Sequence, residues 1–388
     1  MAELDAQKLL LEAQQRTGLS DWADHGFPQR FALAVEHINT IAMDAAGRAA
    51  AAENVLWLLT DRLRFFEDRQ RFPLAEEAID RPMFVSGEPR SGTTLMHALL
   101  AVDPAARALR FWEVMHPSPP PGTVDGTDPR IAAADAEWRE INAKMPRWLH
   151  CHPYNDMLGE GLPEDERTWA FDFRVMTPTA WWRVPMQNLS FGLPTDPPAQ
   201  YRIHKAMLQA LQYRRPARHW VLKGFHTTRL DAFFDAYPDA SLVWLHRDPV
   251  MVAASSTMMM ADIMDGVVGK IDLVKEARAH LERVRWSIGN TMAHPLASDP
   301  RIHHVRYRDF VADPVSVIRD YYAFAGRAFT PEAEGAMRRY LAENKGDRHG
   351  KFHYSTQVLV DAGYDLEALN EEFAPFRERF GVEIERRH

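Results

Sequence analysis

Short apolar runs alternate with longer amphipathic stretches along this chain, and the alternation predicts its fold. Residues 83–85 form a short apolar run, and residues 219–223 and 241–246 are β-rich runs flanked by turn or helix signals. These three predict buried strands, and residues 302–307 predict a fourth strand. Residues 267–286 have the apolar and charged alternation of an amphipathic helix. Because buried strands that alternate with helices are typical of parallel sheets, we expect one elaborated α/β domain.

The first 80 residues predict a helical layer. The leucines at 9–11 and the apolar run at 55–59 are interleaved with charged positions at about helical spacing. No residue pattern in this stretch indicates chemistry. We expect residues 1–80 to pack on a main domain formed by residues 81–388, and the layer is a candidate interface for a homodimer.

Residues 116–200 predict an irregular insertion in the main domain. The proline run at 116–122 cannot form regular structure, and a helix is expected from about 130 to 150. The insertion also holds a set of aromatic residues: Trp169, Phe171, Phe173, Trp181 and Trp182. These favour the wall of an apolar pocket, although packing in the core explains any one of them equally well.

Composition narrows the class of partner and the compartment. The 388 residues are 46% hydrophobic and 26% charged, which is an ordinary globular composition. A formal net charge of −8 argues against a general nucleic-acid binder, so an anionic ligand would need a local basic pocket. The single cysteine, Cys151, excludes an intramolecular disulfide and fits a reducing compartment. With no signal-peptide pattern and no apolar run of ~20 residues, we expect a cytoplasmic protein without a membrane span.

Residues 82–100 contain the strongest chemical signal in the chain. The predicted strand leads into a turn with glycines at positions 87 and 92, and an apolar segment at helical spacing follows. Glycines allow successive N–H groups to converge, and a helix N-terminus adds partial positive charge. The candidate phosphate contacts are Arg90, Ser91, Gly92, Thr93 and Thr94. We therefore predict a phosphate-binding loop, and a tight turn that binds nothing is the alternative.

This loop departs from the pattern of nucleoside triphosphatases. That pattern has a lysine after its second glycine, where this chain has Thr93, and Arg90 is the only cation in the loop. The sequence also lacks a clear carboxylate after an apolar strand to hold magnesium. A phosphate-loop kinase or NTPase is therefore an alternative and not the preferred interpretation. The other alternative is a protein that binds adenosine bisphosphate without catalysis.

Three motifs resemble those of sulfotransferases that use 3′-phosphoadenosine 5′-phosphosulfate (PAPS), in particular bacterial members of that superfamily. The run Pro-Arg-Ser-Gly-Thr-Thr at 89–94 is similar to their 5′-phosphosulfate loop. Arg247 and Ser255, eight residues apart, match their 3′-phosphate motif. Tyr307 matches a tyrosine that contacts the nucleotide, and an aromatic side chain that anchors the strand end is the alternative. The resemblance extends over about residues 82–355, in separate motifs. It implies a P-loop-type parallel β-sheet flanked by helices, PAPS as co-substrate and no metal.

The resemblance also implies transfer of a sulfuryl group to a hydroxyl by in-line displacement. Such a reaction needs positioning and stabilisation of the charge that develops on the leaving oxygen. Arg90 and Lys223 are the candidate cations, because they lie at the ends of the first and second predicted strands. Ligands of open α/β sheets bind at the carboxyl ends of strands, so we expect these motifs to meet there.

The general base is left open by the sequence. Glu113 matches the position of the base in the related tyrosylprotein sulfotransferases. His226 is the second choice, because the unperturbed histidine side chain titrates near neutrality, and either Glu164 or Glu166 in the insertion is the third choice. The spacing of Lys223 and His226 differs from the Lys-x-His pair of cytosolic relatives. A structural, salt-bridged Glu113 is the alternative to a catalytic one.

Apolar side chains indicate the class of acceptor. Besides the aromatic residues of the insertion, the chain has a methionine run at 258–260, and flexible methionines line adaptable apolar sites. We expect a hydrophobic alcohol, a phenol or a lipid-like molecule. Cys151 lies beside His150 and His152 without further partners at metal-ligand spacing, so we predict no metal site.

A basic loop at residues 345–351 is a further candidate for phosphate contacts. Relatives place additional 3′-phosphate contacts in this region, although the match in sequence is poor. Arg348 and Lys351 are the residues concerned. A solvated basic turn explains the same residues equally well.

Overall fold

The computed structural model describes residues 3–174, 195–216, 218–346 and 348–385, with the exception of the side chain of Tyr154. Contacts divide the chain into two units, each assembled from separate stretches of sequence. The first comprises Met1–Ile79, Leu109–Met145 and Met157–Ala217, and the second comprises Asp80–Ala108, Pro146–Asp156 and Arg218–His388. The predicted boundaries of the N-terminal layer and the insertion stay predictions. Trp181 and Trp182 lie outside the described residues.

Helices make up most of the regular structure. Numbered along the chain, the described α-helices are α1 (Ala6–Thr17), α2 (Phe27–Thr40), α3 (Ala45–Arg71), α4 (Thr93–Ala101), α5 (Phe111–Met115), α6 (Pro129–Lys144), α7 (Trp148–Cys151), α8 (Pro197–Gln212), α9 (Leu230–Ala236), α10 (Pro249–Asp265), α11 (Leu273–Ala293), α12 (Tyr307–Ala312), α13 (Pro314–Phe324), α14 (Pro331–Glu343), α15 (Gln357–Asp361), α16 (Leu366–Glu372) and α17 (Ala374–Phe380). Short 3-10 segments lie at Leu74–Glu76, Pro121–Thr123, Pro153–Glu160, Asp165–Asp172 and Pro295–Ser298. None of the helices in the described part of the chain is long and apolar enough to cross a membrane.

The first unit is helical at its N-terminus, as the sequence predicted. Asp5 begins α1 because its carboxylate accepts hydrogen bonds from the backbone N–H groups of Gln7 and Lys8. Phe27 and Phe31 on α2 are fully buried in the core that α1, α2 and α3 share. Burial of such apolar stripes holds short helices together, since isolated helices of this length are marginal in water.

The described aromatic residues of the predicted insertion fill the core of the first unit. Trp169 is fully buried with its ring centroid 6.0 Å from that of Tyr201. The ring centroid of Phe171 lies 5.2 Å from that of Phe65, and Phe173 packs into the core of the N-terminal helices. For Trp169, Phe171 and Phe173, core packing, which the sequence left as an alternative, accounts for the burial.

The second unit contains a parallel sheet of five strands. The strands are β1 (Met83–Gly87), β2 (Ala106–Arg107), β3 (His219–Lys223), β4 (Ser241–His246) and β5 (Ile302–Arg306), in the order β2-β3-β1-β4-β5. All four neighbouring pairs are parallel. The predicted α/β class and its four strands are confirmed. The edge strand β2 was not predicted, because two residues are too few to form an apolar pattern.

The sheet brings the sequence motifs to one edge. Strand β1 is central and buried along its whole length, and it pairs with β3 on one side and β4 on the other. Because all strands are parallel, their carboxyl ends share an edge, as expected for a ligand site. The loop at 88–92, Lys223, Arg247 and Tyr307 all lie at these carboxyl ends.

Candidate active site

The turn between β1 and α4 is a glycine-dependent loop. Gly87 has a φ of 148°, and a Cβ there would lie 2.6 Å from the carbonyl oxygen of Leu245. Gly92 has a φ of 91°, and its Cβ would lie 3.1 Å from the ring of Tyr307. Arg90 also adopts a left-handed φ of 70°, which is uncommon for a residue with a side chain. The loop therefore has a tight, specific course that ends at the N-terminus of α4.

Lys223 lies beside this loop at the end of β3. Its ammonium group donates a hydrogen bond to the Thr94 hydroxyl on the first turn of α4 over 3.3 Å. The hydroxyl of Ser86 donates to the carbonyl oxygen of Gly224 (2.7 Å) and accepts from the backbone N–H of His226 (3.1 Å). These bonds join the ends of β1 and β3, so Lys223 is held against the start of α4 with little of its surface exposed.

Arg247 follows β4, and its guanidinium donates hydrogen bonds to three neighbouring residues. Its Nε and one terminal nitrogen donate to the two carboxylate oxygens of Glu385, each over 2.7 Å. It also donates to the Tyr354 hydroxyl (2.8 Å) and to the carbonyl oxygen of Arg90 (2.6 Å). Burial is the largest single influence and acts to lower the pKa of Arg247, but the hydrogen bonds to Glu385 and the electrostatic interactions with Tyr307, Glu385 and Tyr354 together raise it. Arg247 is therefore a buried, permanently charged group that contacts the loop directly.

Ser255 and Tyr307 complete the surroundings of the loop. The hydroxyl of Ser255, on α10, accepts a hydrogen bond from Nε of Arg90 over 3.2 Å. The guanidinium of Arg247 stacks on the ring of Tyr307, with its central carbon 4.2 Å from the ring centroid. The ring of Tyr307 is also the group that limits the space at Gly92. The structure thus brings these separately predicted residues together around one loop.

Arg90 is the loop cation, and its guanidinium is enclosed. One terminal nitrogen donates to the carbonyl oxygen of Cys151 over 3.2 Å and lies 3.9 Å from the sulfur of Met259. The guanidinium also lies over the ring of Phe352, with its central carbon 4.9 Å from the ring centroid. Burial lowers the pKa of Arg90, and the neighbouring charge of Arg247 acts in the same direction. Two neighbouring positive charges favour binding of an anion beside them.

The sequence model of the Sulfotransferase family matches residues 82–331, a stretch that begins just before β1 and ends at the first residue of α14. The chain belongs to the sulfotransferase family. It is therefore an enzyme of sulfuryl transfer. The sequence had left two alternatives, a phosphate-loop kinase and a protein that binds adenosine bisphosphate without catalysis, and membership of this family argues against both.

Named relatives agree with this assignment. The sulfotransferase is 26% identical over 305 residues to the omega-hydroxy-beta-dihydromenaquinone-9 sulfotransferase Stf3 of Mycobacterium bovis and of Mycobacterium tuberculosis, covering 74% of each chain. The crystal structure of sulfotransferase STF9 from Mycobacterium avium matches over all of both chains, with 29% identity and a TM-score of 0.82. Sulfotransferase STF1 from Mycobacterium tuberculosis, at 23% identity, shows the fold alone, with a TM-score of 0.74 over 96% of this chain and 99% of that one.

The candidate bases of the sulfotransferase lie in different units. Glu113 is on α5 in the first unit, where it is 2% exposed and one carboxylate oxygen accepts a hydrogen bond from the backbone N–H of Arg110 over 3.1 Å. His226 is in the second unit, fully buried, with its ring 5.0 Å from the rings of both Phe84 and Phe233. The bond from Arg110 gives Glu113 a role in capping α5.

The third choice of base also lies in the first unit. Glu164 and Glu166 are at the start of the 3-10 segment Asp165–Asp172.

The basic loop at 345–351 belongs to the second unit. Arg348 donates to both carboxylate oxygens of Asp156, over 2.8 and 3.0 Å, and His349 also contacts that carboxylate. Lys351 is exposed. The basic loop at 345–351 is therefore anchored through Arg348 to the segment before residue 157.

Several residues around the loop were not predicted from the sequence. Phe352 and Tyr354 follow the basic loop directly, so an aromatic pair beside clustered cations was the available signal. The carbonyl of Cys151 and the carboxylate of Glu385 had no sequence signal, because a main-chain oxygen and a lone acidic residue form no pattern. Burial raises the pKa of the Cys151 thiol to about 12, so it is a neutral thiol near pH 7. Among the described residues, no group of three or more His, Cys, Asp and Glu side chains could hold a metal ion.

Proposed function

We propose that this sulfotransferase moves the sulfuryl group of PAPS to the hydroxyl of an apolar, lipid-like acceptor. The observation that supports the donor best is the arrangement around the glycine loop. Two arginines and a tyrosine that follow three different strands, together with a serine of α10, surround the loop before α4: Arg90, Arg247, Tyr307 and Ser255. Converging N–H groups, a helix N-terminus and paired guanidiniums suit a ligand with two separated phosphates.

Each end of the donor has proposed partners. Residues Arg90 to Thr94 would hold the 5′-phosphosulfate, because the loop and the first turn of α4 present N–H groups and hydroxyls. Arg247 and Ser255 would hold the 3′-phosphate, with Tyr307 against the nucleotide. Lys223, bonded to Thr94, lies at the same end of the loop as the proposed phosphosulfate.

The chemistry is an in-line displacement at sulfur. A bond forms between the acceptor oxygen and sulfur, while the bond between sulfur and the 5′-phosphate oxygen breaks, and adenosine 3′,5′-bisphosphate leaves. Lys223 and Arg90 would stabilise the negative charge that grows on that phosphate oxygen. The acceptor proton passes to a base, for which we keep Glu113 first and His226 second. Glu164 or Glu166 is the third choice.

The proposed acceptor rests on a relative and on local side chains. The relative named above is a sulfotransferase of a hydroxylated menaquinone, which is an apolar lipid. Met259 is only partly buried and lies 3.9 Å from the guanidinium of Arg90. A flexible methionine next to the proposed phosphosulfate site suits an apolar chain that ends in a hydroxyl.

Calorimetric titration tests the donor. We expect adenosine 3′,5′-bisphosphate to bind without magnesium, and ATP to bind poorly with or without it. Tight, magnesium-dependent binding of ATP would contradict the proposal. For the acceptor, the purified enzyme is incubated with ³⁵S-labelled PAPS and a panel of long-chain alcohols, phenols, hydroxylated quinones and sugars. Labelling confined to the sugars would contradict an apolar acceptor.

We also propose a cytoplasmic location and keep the homodimer as a candidate assembly. The lone Cys151 fits a reducing compartment. Fractionation of cells followed by detection of the protein tests the location. Size-exclusion chromatography with light scattering tests the dimer.

A further inference from the structure

The residue proposed for the 3′-phosphate is already bonded to an anion of this chain. The Nε and terminal-nitrogen edge of Arg247 grips the carboxylate of Glu385 through two bonds of 2.7 Å. This is the bidentate geometry in which arginine also binds phosphate. Arg247 is 4% exposed, and the Glu385 side chain is 24% exposed, so the arginine is the fixed partner of the pair.

Most of the N–H donors of Arg247 are already used in hydrogen bonds within the protein. A guanidinium has five N–H donors. Two go to Glu385, one to the hydroxyl of Tyr354 and one to the carbonyl of Arg90. A phosphate that needs the two-donor edge must therefore replace Glu385. A phosphate placed beside the carboxylate would meet a like charge at short range, which disfavours joint binding.

The segment that holds Glu385 is docked at its backbone. The N–H of Glu385 donates to one carboxylate oxygen of Asp248 over 2.8 Å. The other oxygen of Asp248 accepts from Arg377, on α17, over 2.6 Å. The carboxylate side chain can therefore leave Arg247 by rotating, while Asp248 keeps the backbone of the segment in place.

We propose that Glu385 is a residue that sets the affinity for the donor, by occupying the fork of Arg247 until a 3′-phosphate takes its place. This inference rests on the proposed function, in which Arg247 binds the 3′-phosphate. The exchange of one anion for another keeps the buried arginine paired in both states, which avoids an uncompensated buried charge. It also lowers the apparent affinity for the donor and for the bisphosphate product, because binding must compete with the carboxylate.

The test compares Glu385→Gln with Glu383→Gln. Glutamine keeps the size of the side chain but removes the competing charge. Glu383 lies in the same segment and pairs with the exposed Arg308, away from Arg247, so it is the matched control. The ligands are adenosine 3′,5′-bisphosphate and adenosine 5′-phosphate, titrated by calorimetry into the full chain. A third variant, Glu385→Asp, retains the charge on a shorter side chain.

We expect Glu385→Gln to bind the bisphosphate about 3- to 30-fold more tightly and to leave 5′-phosphate binding unchanged. Glu383→Gln should match the wild type, and Glu385→Asp should fall between them. Unchanged or weaker binding of the bisphosphate to Glu385→Gln would overturn the inference. Titration of Arg247→Ala separates the two proposals. If that variant loses affinity and Glu385→Gln does not gain it, only the inference fails; if Arg247→Ala keeps full affinity, the proposed phosphate site fails as well.

Discussion

Arg247 donates a hydrogen bond of 2.6 Å to the main-chain carbonyl oxygen of Arg90. The bond joins the end of β4 to the loop after β1, at a residue with a left-handed φ of 70°. Arg247 thus supports the course of the loop while its guanidinium stacks on Tyr307. The two phosphate-binding motifs predicted from separate parts of the sequence are therefore physically connected.

Arg247→Ala tests the 3′-phosphate site. The substitution removes charge-assisted hydrogen bonds worth ~1.5–3 kcal/mol, so the affinity for adenosine 3′,5′-bisphosphate should fall ~10- to 150-fold. Binding of adenosine 5′-phosphate should change far less, as measured by calorimetry. Arg308→Ala, which removes an exposed arginine of α12, is the control and should bind both ligands normally. Equal losses for both ligands would place Arg247 elsewhere than at the 3′-phosphate.

Lys223→Ala separates binding from chemistry. If the ammonium stabilises charge on the leaving oxygen, the interaction is strongest in the transition state. The variant should then lose ~10²-fold or more in kcat, with a much smaller change in affinity for the bisphosphate product. Steady-state kinetics and calorimetry on the same preparation measure both quantities, with Lys275→Ala on the exposed face of α11 as the control. A loss of affinity as large as the loss of kcat would assign Lys223 to ground-state binding.

Glu113→Gln tests the preferred base. Glutamine can still accept the hydrogen bond that Glu113 accepts from the backbone of Arg110, so α5 should keep its cap. It cannot take a proton, and the variant should lose ~10²-fold or more in kcat while it binds the bisphosphate normally. A lower melting temperature with intact kcat would show a purely structural role. His226→Ala is run in parallel, and if it alone abolishes turnover the order of preference is reversed.

Gly87→Ala tests whether the loop requires glycine. The added Cβ would lie 2.6 Å from the carbonyl oxygen of Leu245, which belongs to the neighbouring strand and cannot turn away. We expect a loss of ~2 kcal/mol or more in the free energy of unfolding, measured with urea. The control, Gly289→Ala, adds a methyl group in open space within α11 and should stabilise the protein by ~0.5–1 kcal/mol. A Gly87→Ala protein as stable as the wild type would contradict the geometry of the loop.

His219 should make the stability depend on pH. Burial lowers the pKa of its imidazole from 6.5 to about 4, helped by Arg327 and opposed by Asp103. The unfolded chain therefore binds a proton below pH 6.5 that the folded protein accepts only near pH 4. The contribution of the neutral His219 to the free energy of unfolding is therefore fully present above pH 6.5, and it is lost as the pH falls from 6.5 to about 4. Urea unfolding at several pH values should show a shallower loss for His219→Gln than for the wild type, and identical slopes would contradict the prediction.

The sequence alone determined the class of fold and the residues nearest the loop. Strands β1, β3 and β4 each have three or more consecutive apolar residues, and β5 contains Ile302 and Val305, whereas β2 has two residues and was missed. The glycines at 87 and 92, and the spacing of Arg247 and Ser255, were recognisable because backbone geometry and motif spacing are local properties. Since parallel strands share a carboxyl edge, the meeting of these motifs followed from the strand pattern.

Tertiary structure alone decided what the two arginines contact. Arg90 bonds to the carbonyl of Cys151, 61 residues away, and Arg247 bonds to Glu385, 138 residues away. Contacts at such separations depend on how helices and loops pack after the sheet has formed, and apolar periodicity contains no information about them. For the same reason, the sequence does not predict that a carboxylate pairs with Arg247. Its partner is selected by three-dimensional proximity in a buried site, where an unpaired charge would be costly.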